Sequence, residues 1–437
     1  MHKVGIVGFG YIGSVIGACL AERGCDVTGV DVETRTVAMT QEGRTEHFEP
    51  QLADLISKNV GSGRLRATTD FAALAGVDYI VVTVGTPLDE NLKANLNHID
   101  AASEAIGRHL RPGHVVVVKS TVIPHVTRDL FGKKLSAVSG LQCGRDYFLA
   151  FSPERIAEGK AVSEFFRLPI VVGADDPLSG ERVSAFWKTV LQVETIAMSS
   201  TVGAELTKLA DNLWIDMNIA IANEIAKVCQ AHGADFDQVQ RAANTLPKGQ
   251  HHVNILQSSI GVGGSCLTKD PLFFANLLDE SGFNGDFIRR GRMVNEGMPA
   301  HTAAAIQNWL RENKIENGKI AVLGVAFKND TNDLRFTPVK ELAEEFRARG
   351  LKFQMADPHV LRTSAEKFFG KDVPLVDFDV AVEGAHVLCF ACGHTAYRAM
   401  DLAELRARTQ SPCLFVDGRH SFSRNAVESA GFTYLMI

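Results

Sequence analysis

A glycine-rich segment with a single cysteine is the stretch of this 437-residue sequence best suited to covalent chemistry. Residues 261–271 read GVGGSCLTKDP, so three glycines precede Cys266, and a lysine, an aspartate and a proline follow it. Because glycine has no Cβ, a ligand can approach the backbone closely, and a thiol on such a loop can attack it. The alternative is a tight turn with a small buried cysteine, in which Asp270 is the N-cap and Pro271 begins a helix over 272–279.

A lysine and an asparagine one helical turn apart form a second chemical pair. Residues 200–233 contain no helix breaker except Gly203 and predict one helix of roughly 50 Å at 1.5 Å per residue. This helix is apolar nearly all round, which predicts burial between domains or subunits. Lys208 and Asn212 share one of its faces. Glu205 is the alternative partner for Lys208, in a salt bridge of little energetic value.

The first thirty residues have the pattern of a dinucleotide-binding βαβ unit. A strand over 4–7 runs into Gly8, Gly10 and Gly13, a helix follows, and a second strand over 27–30 ends in Asp31. The glycines permit a tight turn, close approach of a pyrophosphate and close packing of the helix, whose N-terminus faces the phosphates. Asp31 suits the ribose diol of NAD, while Arg35 leaves some room for NADP.

Polar residues follow three later strands of the predicted parallel sheet. Thr86, Thr121 and Glu154 come after the apolar runs 79–84, 115–118 and 148–151. Carboxyl ends of parallel strands meet at one edge, where open α/β sheets bind ligands. Each residue alone is equally well explained as a turn former, but the three together favour a ligand site. A strand over 168–172 is expected to close the sheet.

The last third predicts a second Rossmann-like unit without a glycine-rich phosphate loop. Its first strand spans 320–324, its helix 338–349, and the charged loop 325–335 stands where the dinucleotide loop would be. That loop suits another phosphate-bearing ligand or is simply solvated. Arg419 follows a further strand and is a ligand candidate for the same reason. The Cys389–Cys392 pair favours strand core over a metal or redox site.

Composition excludes several functional classes. The 45 basic and 51 acidic residues give a net charge of −6, which argues against a dedicated nucleic-acid or membrane-surface binder. No apolar stretch approaches the roughly 20 residues that span a bilayer. Eight scattered cysteines do not form a disulfide framework, and His251 and His252 have no partners at metal-ligand spacing. With a strand directly after Met1, we expect a cytoplasmic protein without a signal peptide.

Eight collinear motifs together resemble one known family. They are GFGYIG, VGTP, KSTV, SPER with AEGK, ELTKLADN, GVGGSCLTKDP, GVAFKNDTNDLR and DGR. Over essentially its whole length the sequence resembles the nucleotide-sugar 6-dehydrogenases of the UDP-glucose/GDP-mannose dehydrogenase family. The resemblance implies an α/β fold with two Rossmann-like doubly wound domains joined by a long central helix and a helical middle domain. The implied domains are 1–199 for NAD, 200–313 for dimerisation and the cysteine loop, and 314–437 for the nucleotide sugar.

The resemblance also implies a four-electron oxidation of the sugar C6 alcohol to a carboxylate, with NAD as cofactor, no metal and a homodimer formed through the central helix. Cys266 is then the nucleophile that forms a thiohemiacetal and a thioester. The implied catalytic residues are Cys266, Lys208, Asn212, Glu154, Thr121 and Asp270. The implied cofactor contacts are Gly8, Gly10, Tyr11, Ile12, Gly13, Asp31, Arg35, Thr86, Thr121, Glu158, Lys269 and Arg335. The implied substrate contacts are Glu154, Arg155, Lys208, Asn212, Asn254, Gly263, Phe327, Lys328 and Arg419.

The identity of the sugar is predicted less firmly than the reaction. The SPER motif and the segment VNIL at 253–256 resemble the branch that oxidises UDP-N-acetylglucosamine or UDP-N-acetylmannosamine. His252 departs from the arginine that this branch usually carries, and Ser265 looks more like the UDP-glucose branch. UDP-glucose is therefore the nearest alternative. A silent NAD- and nucleotide-sugar-binding regulator and a one-step hydroxy-acid dehydrogenase are the competing functions.

Overall fold

The computed structural model describes residues 1–371 and 375–437, and the chain divides into two compact units, Met1–Asp211 and Asn212–Ile437. Both are α/β, as the sequence predicts. Within the described residues, no helix has the length and apolar character needed to cross a membrane. Each unit is built around its own sheet, mainly parallel in the first unit and fully parallel in the second.

The first unit contains an eight-stranded sheet in the order β3-β2-β1-β4-β5-β6-β7-β8. Its strands are β1 Lys3–Val7, β2 Asp26–Val30, β3 Leu65–Thr68, β4 Tyr79–Val82, β5 Val115–Val118, β6 Phe148–Phe151, β7 Ile170–Gly173 and β8 Thr195–Met198. The first six strands are parallel in the dinucleotide-binding order 3-2-1-4-5-6. Strand β7 meets β6 antiparallel and pairs in parallel with β8. The expectation that 168–172 closes the sheet is therefore wrong, because the short, largely exposed β8 follows it.

Helices cover both faces of this sheet. They are α1 Tyr11–Glu22, α2 Thr34–Gln41, α3 Leu52–Gly61, α4 Asn97–Gly107, α5 Lys133–Ser139, α6 Ala161–Phe165 and α7 Pro177–Leu191, with a 3₁₀ turn at Phe71–Gly76 and a π-helical segment at Val126–Gly132. The all-valine β5 is buried along its whole length. Val115 and Val117 face one core with Trp187, while Val116 and Val118 face the other with Phe131. A continuous apolar run is what a strand covered on both faces requires.

The predicted long helix is α8, Thr201–Ala231. Its 31 residues span about 46 Å at 1.5 Å per residue. Trp214, Ile221 and Val228 recur every seven residues and are 48%, 51% and 60% exposed. The helix therefore presents an apolar stripe along one side in the single chain.

The second unit continues with helices and ends in a five-stranded parallel sheet. Its remaining elements are α9 Phe236–Ala243, β9 Pro247–Lys248, β10 His251–His252, α10 Asp270–Glu280, α11 Asp286–Glu296, α12 Met298–Glu312, β11 Lys319–Leu323, α13 Val339–Ala348, β12 Lys352–Ala356, α14 Arg362–Phe369, α15 Phe378–Val382, β13 Val387–Phe390, α16 Thr395–Arg398, α17 Leu402–Ala407, β14 Leu414–Asp417, α18 Arg424–Ser429 and β15 Thr433–Met436. The sheet order β12-β11-β13-β14-β15 places a topological switch point between β11 and β13. Helix α12 packs into the core of this sheet, although it precedes the domain boundary predicted at 313/314.

The two sheets begin with the same local structure. Gly8 and Gly324 both have a φ of +87°, and each donates its N–H to the last carbonyl of the adjacent strand, at 2.9 and 2.8 Å. Asp31 and Asp357 then each accept the N–H of the residue after that glycine, at 2.5 and 2.7 Å. The second unit thus repeats the first βαβ turn without its phosphate loop.

Candidate active site

The glycines of the first βαβ turn meet different surroundings. A Cβ on Gly13 would lie 2.0 Å from the Gly8 carbonyl oxygen, so helix α1 packs against the turn at a distance that only glycine permits. A Cβ on Gly10 would meet nothing within 4 Å. Gly10 precedes α1, whose first N–H groups are available to an anion. This cradle fits the pyrophosphate of NAD, with Ile12 in the first turn of the same helix.

Asp31 at the end of β2 is oriented by the backbone. Its Oδ2 accepts the Phe9 N–H and its Oδ1 accepts the Glu33 N–H at 2.9 Å. Each carboxylate oxygen keeps a lone pair for a ribose hydroxyl. Arg35 forms an exposed ion pair with Glu46 at 3.2 Å. A carboxylate on the ribose and an arginine with its own acidic partner favour NAD over NADP.

Glu49 is a buried residue that the sequence analysis missed. Its carboxylate accepts the Tyr11 hydroxyl at 2.6 Å and the N–H groups of Gly159 and Ala161 at 2.6 and 2.8 Å. It thereby joins the start of α1 to the AEGK loop that carries Glu158. No motif marks Glu49, since its partners are separated from it by about 40 and 110 residues in the sequence.

The structure brings together polar residues from the ends of β4, β5 and β6. The Thr86 hydroxyl donates to the Thr121 carbonyl oxygen at 2.6 Å. After β6, Glu154 Oε2 lies 3.2 Å from Nζ of the buried Lys119, which immediately follows β5. The prediction that these strand ends meet is confirmed, and Lys119 is an additional charged group among them. Arg155 extends from the same loop to Asp211 on α8, with Nε and Oδ2 2.9 Å apart.

Glu205 does not pair with Lys208 as the alternative reading proposed. Its two oxygens accept the backbone N–H groups of His125 and Thr127 at 2.7 and 2.8 Å. Burial raises the Glu205 pKa, and these hydrogen bonds partly offset that effect. Lys208 is buried on the same helix, with only 8% of its surface exposed. A buried lysine needs a functional or electrostatic reason, because its desolvation is costly.

The cysteine loop is shaped by close packing within the second unit. Cys266 is exposed. Gly264 has a φ of +88°, and a Cβ on it would lie 2.6 Å from the Phe327 ring, while a Cβ on Gly263 would lie 2.5 Å from the Phe336 carbonyl oxygen. The Gly264 N–H also donates to the Arg335 carbonyl oxygen at 3.2 Å. The glycines therefore let the 327–336 loop approach the backbone, and the thiol remains at the surface.

The position of Asp270 differs from the predicted N-cap of the helix that follows Cys266. Helix α10 begins at Asp270, with Lys269 as its N-cap and Pro271 in its first turn. Asp270 is fully buried, and its Oδ2 accepts the Asn212 Nδ2 amide at 2.5 Å. Its Oδ1 lies 2.5 Å from Lys269 Nζ. The side chain is committed to these two partners instead of to the backbone of its own helix, so the N-cap assignment is wrong.

The proposed substrate contacts of the second unit lie on several of its loops. Arg419 donates to the carbonyl oxygens of Ala391 and Phe327, at 3.1 and 3.0 Å, and ties the ends of β11 and β13 at the switch point. Lys328 follows Phe327 in the same half-buried loop. Arg335 pairs with Asp333. Further along the unit, the Asn254 carbonyl oxygen accepts Asn218 Nδ2 at 2.9 Å.

A buried histidine at the same switch point was also missed. His394 Nδ1 accepts the Asp330 N–H at 2.9 Å, and its Nε2 donates to Asp357 Oδ2 at 3.2 Å. Burial raises the pKa of Asp357, but this bond and backbone N–H groups outweigh it and hold the pKa low. Among the described residues, Asp330, His359 and His394 also form a compact group of metal-ligand types. Asp330 already binds Thr395 through both carboxylate oxygens, so the geometry is explained by hydrogen bonding.

The dinucleotide turn at a strand-order switch, Asp31 at the end of β2 and a second Rossmann-like domain define a dinucleotide-binding α/β protein. The family comparison is more specific. Residues 2–191, 202–297 and 321–424 match the NAD binding, central and UDP binding domains of the UDP-glucose/GDP-mannose dehydrogenase family. The chain belongs to this family and is an NAD-dependent nucleotide-sugar dehydrogenase.

Similar proteins include enzymes with different sugars. The chain is 28% identical over 444 residues to the UDP-N-acetyl-D-mannosamine dehydrogenase of Methanococcus maripaludis, covering 100% of this chain and 97% of the relative. The structure of the UDP-D-ManNAc dehydrogenase from Pyrococcus horikoshii has a TM-score of 0.87 at 26% identity, with 100% and 99% coverage. A UDP-glucose dehydrogenase from Pyrobaculum islandicum also has a TM-score of 0.87, at 28% identity with 100% and 97% coverage.

Proposed function

We propose that this enzyme oxidises the C6 alcohol of a UDP-N-acetylhexosamine, UDP-N-acetylglucosamine or UDP-N-acetylmannosamine, to the uronic acid in two successive steps. The exposed Cys266 thiol on its packed glycine loop is the observation that carries this proposal. A simple alcohol dehydrogenase has no use for a nucleophile, whereas oxidation to the acid needs a covalent aldehyde adduct that can lose a second hydride. UDP-glucose is the alternative substrate.

Each proposed group has a defined task. NAD, when bound, accepts one hydride in each oxidation. Lys208 takes the proton of the C6 hydroxyl, and Asn212 donates a hydrogen bond to the C6 oxygen. The Cys266 sulfur adds to the aldehyde carbon as a thiolate, and the adduct oxygen is protonated to give a thiohemiacetal. Loss of the hydroxyl proton and the second hydride gives a thioester.

Hydrolysis then completes the reaction. Water attacks the thioester carbon, the carbon–sulfur bond breaks, and the Cys266 thiol and the sugar carboxylate are released. We assign the positioning of this water to Glu154 and Thr121. Asp270 orients Asn212 through the bond of 2.5 Å between them. No metal is needed for any of these steps.

The N-acetylhexosamine assignment rests on the SPER motif and on two similar proteins. Arg155 is held by Asp211, one position before Asn212 in the chain, and offers a fixed guanidinium for a sugar substituent. Relatives that act on UDP-N-acetyl-D-mannosamine support the same branch. Because a UDP-glucose dehydrogenase is equally similar in structure, UDP-glucose is the alternative substrate for this chain.

A substrate panel tests the proposal. NADH formation is measured with UDP-N-acetylglucosamine, UDP-N-acetylmannosamine, UDP-glucose and GDP-mannose, and the products are identified by mass spectrometry. We expect the highest kcat/KM with one of the N-acetylhexosamines. Preference for UDP-glucose selects the alternative, and binding of NAD and UDP-sugars without turnover identifies a silent regulator.

We also propose that the chain forms a homodimer through α8. Trp214, Ile221 and Val228 form the exposed stripe of this helix, and Phe287 and Met293 on α11 are 72% and 67% exposed. Large apolar side chains exposed in this number on two helices favour a protein interface. A second copy of the chain offers the same stripe and is therefore self-complementary.

A further inference from the structure

Lys119 is a buried charge to which the proposed reaction assigns no task. It follows β5 directly and belongs to the KSTV motif, two positions before Thr121. Only 2% of its side chain is exposed. A buried ammonium is unfavourable unless a partner compensates for its lost hydration. Its partner therefore identifies its role.

That partner is Glu154, whose carboxylate is held from both sides. Nζ of Lys119 lies 3.2 Å from Oε2, and the side chain of Glu154 is 11% exposed. Oε1 accepts the N–H groups of Arg155 and Ile156 at 2.8 and 3.0 Å. Backbone and ammonium together fix the orientation of the carboxylate. Within the described residues Oε2 is itself buried and accepts no hydrogen bond from the protein, so its lone pairs are left for a water or substrate group that enters beside it.

The surroundings of Lys119 strengthen this pair. Nζ lies 5.2 Å from the ring centroid of Trp187, which is fully buried. Aromatic contact stabilises the ammonium, and the low local dielectric enlarges its attraction for the nearby carboxylate. Lys119 is thereby held beside Glu154 and fixes the position of its carboxylate.

We propose that Lys119 is a positioning residue that holds the Glu154 carboxylate in place, so that Glu154 can act on the water that hydrolyses the thioester. This role rests on the proposed function and adds to it a group that need not contact the substrate. It predicts that loss of Lys119 impairs hydrolysis and leaves the two oxidations largely intact.

Four variants separate this role from a structural one. Lys119→Met removes the charge but keeps much of the side-chain volume, and Lys119→Arg keeps the charge. Glu154→Gln removes the proposed target. Lys188→Met is the matched control, because it removes an exposed lysine next to Trp187 in α7.

Rapid-mixing kinetics give the first readout. For Lys119→Met we expect a burst of two NADH per active site at close to the wild-type rate, followed by steady-state uronate release about 10-fold or more slower at pH 7. Lys119→Arg recovers most of the rate, and Lys188→Met behaves like the wild type. The double variant Lys119→Met with Glu154→Gln should release uronate at nearly the same rate as Glu154→Gln alone.

Other results overturn the proposal. An equal loss of burst and steady-state rate in Lys119→Met, or multiplicative effects in the double variant, identify Lys119 as structural. If the proposed function itself is wrong, the wild type forms no uronate from any nucleotide sugar. That result differs from a failure of the Lys119 proposal, in which the wild type is active.

Discussion

At the residue scale, Gly10 and Gly13 fulfil different physical requirements within one motif. A Cβ on Gly13 would clash with the Gly8 carbonyl oxygen, whereas a Cβ on Gly10 would project into open space on the proposed phosphate side. The sequence motif identifies both glycines. The motif already predicts close packing at Gly13 and close cofactor approach at Gly10, and the structure adds the distances that agree with this division.

We therefore expect Gly10→Ala and Gly13→Ala to separate binding from stability. Gly10→Ala should change the free energy of unfolding by less than about 1 kcal/mol and raise the NAD dissociation constant about 10-fold or more, because the methyl group blocks approach of the pyrophosphate. Gly13→Ala should lower stability by about 2 kcal/mol or more through overpacking. Urea unfolding and NAD titration calorimetry measure the two effects. Equal stability losses would refute the distinction.

Asp270 carries the second residue-scale prediction. Asp270→Asn removes the charge that binds Lys269 and weakens the hydrogen bond that orients Asn212. We expect kcat/KM to fall about 100-fold, since an oriented donor to the C6 oxygen is lost. Stability should fall by about 2 kcal/mol. Asp279→Asn, in an exposed pair on the same helix, is the control. Wild-type activity in Asp270→Asn would remove Asp270 from the proposed mechanism.

The residues of the candidate site were predictable from sequence to an unequal extent. Strand ends identified Thr86, Thr121 and Glu154, and glycine spacing identified the first βαβ turn, because local patterns determine both. Glu49 and His394 were missed, and Asp270 was misassigned as a cap. Their roles depend on partners far away in the sequence, which local patterns do not encode.

At the scale of elements, the two βαβ turns show one local design used for two ligands. Asp31 keeps lone pairs available beyond its backbone bonds, while Asp357 is also bound to His394. In the second turn, hydrogen bonds within the protein therefore occupy the carboxylate that would face a ribose in the first turn. This difference explains how a Rossmann-like domain can lack the dinucleotide loop and remain ordered there.

The pair Asp357–His394 predicts a pH-dependent contribution to stability. The Asp357 pKa is lowered in the folded protein, so its contribution is complete above the unfolded value of about 3.9 and is lost as the pH falls through the folded value. We expect Asp357→Asn to destabilise by about 2 kcal/mol at pH 7 and by progressively less below about pH 4. Urea unfolding across pH measures this difference. Asp379→Asn, an exposed acid, is the control, and a difference that grows towards low pH would contradict the account.

Most elements were predictable because their apolar patterns are strong. The valine run of β5 and the uninterrupted stretch that forms α8 correspond to observed elements. Strand β8 was missed because it is only four residues long and carries three apolar residues, too short a run to be distinguished from a loop by sequence. The N-cap of α10 was misplaced because burial in the site overrides the capping preference of aspartate.

At the scale of the whole molecule, the stripe on α8 predicts assembly. Trp214→Glu together with Ile221→Glu should convert a dimer into a monomer, because charges replace the apolar centre of the proposed interface. Sedimentation velocity measures the mass. Leu361→Glu, which alters a 70% exposed residue elsewhere in the second unit, should leave the dimer intact. A wild-type monomer at micromolar concentration would contradict the proposed interface.

The central claim is a Cys266-dependent oxidation that proceeds to the acid, and the ratio of NADH formed to nucleotide sugar consumed tests it most directly. We predict a ratio of two with the uronate as sole product for the wild type, and no uronate from Cys266→Ala, which should still bind NAD. A ratio of one with the aldehyde as final product, or undiminished uronate formation by Cys266→Ala, would contradict the account.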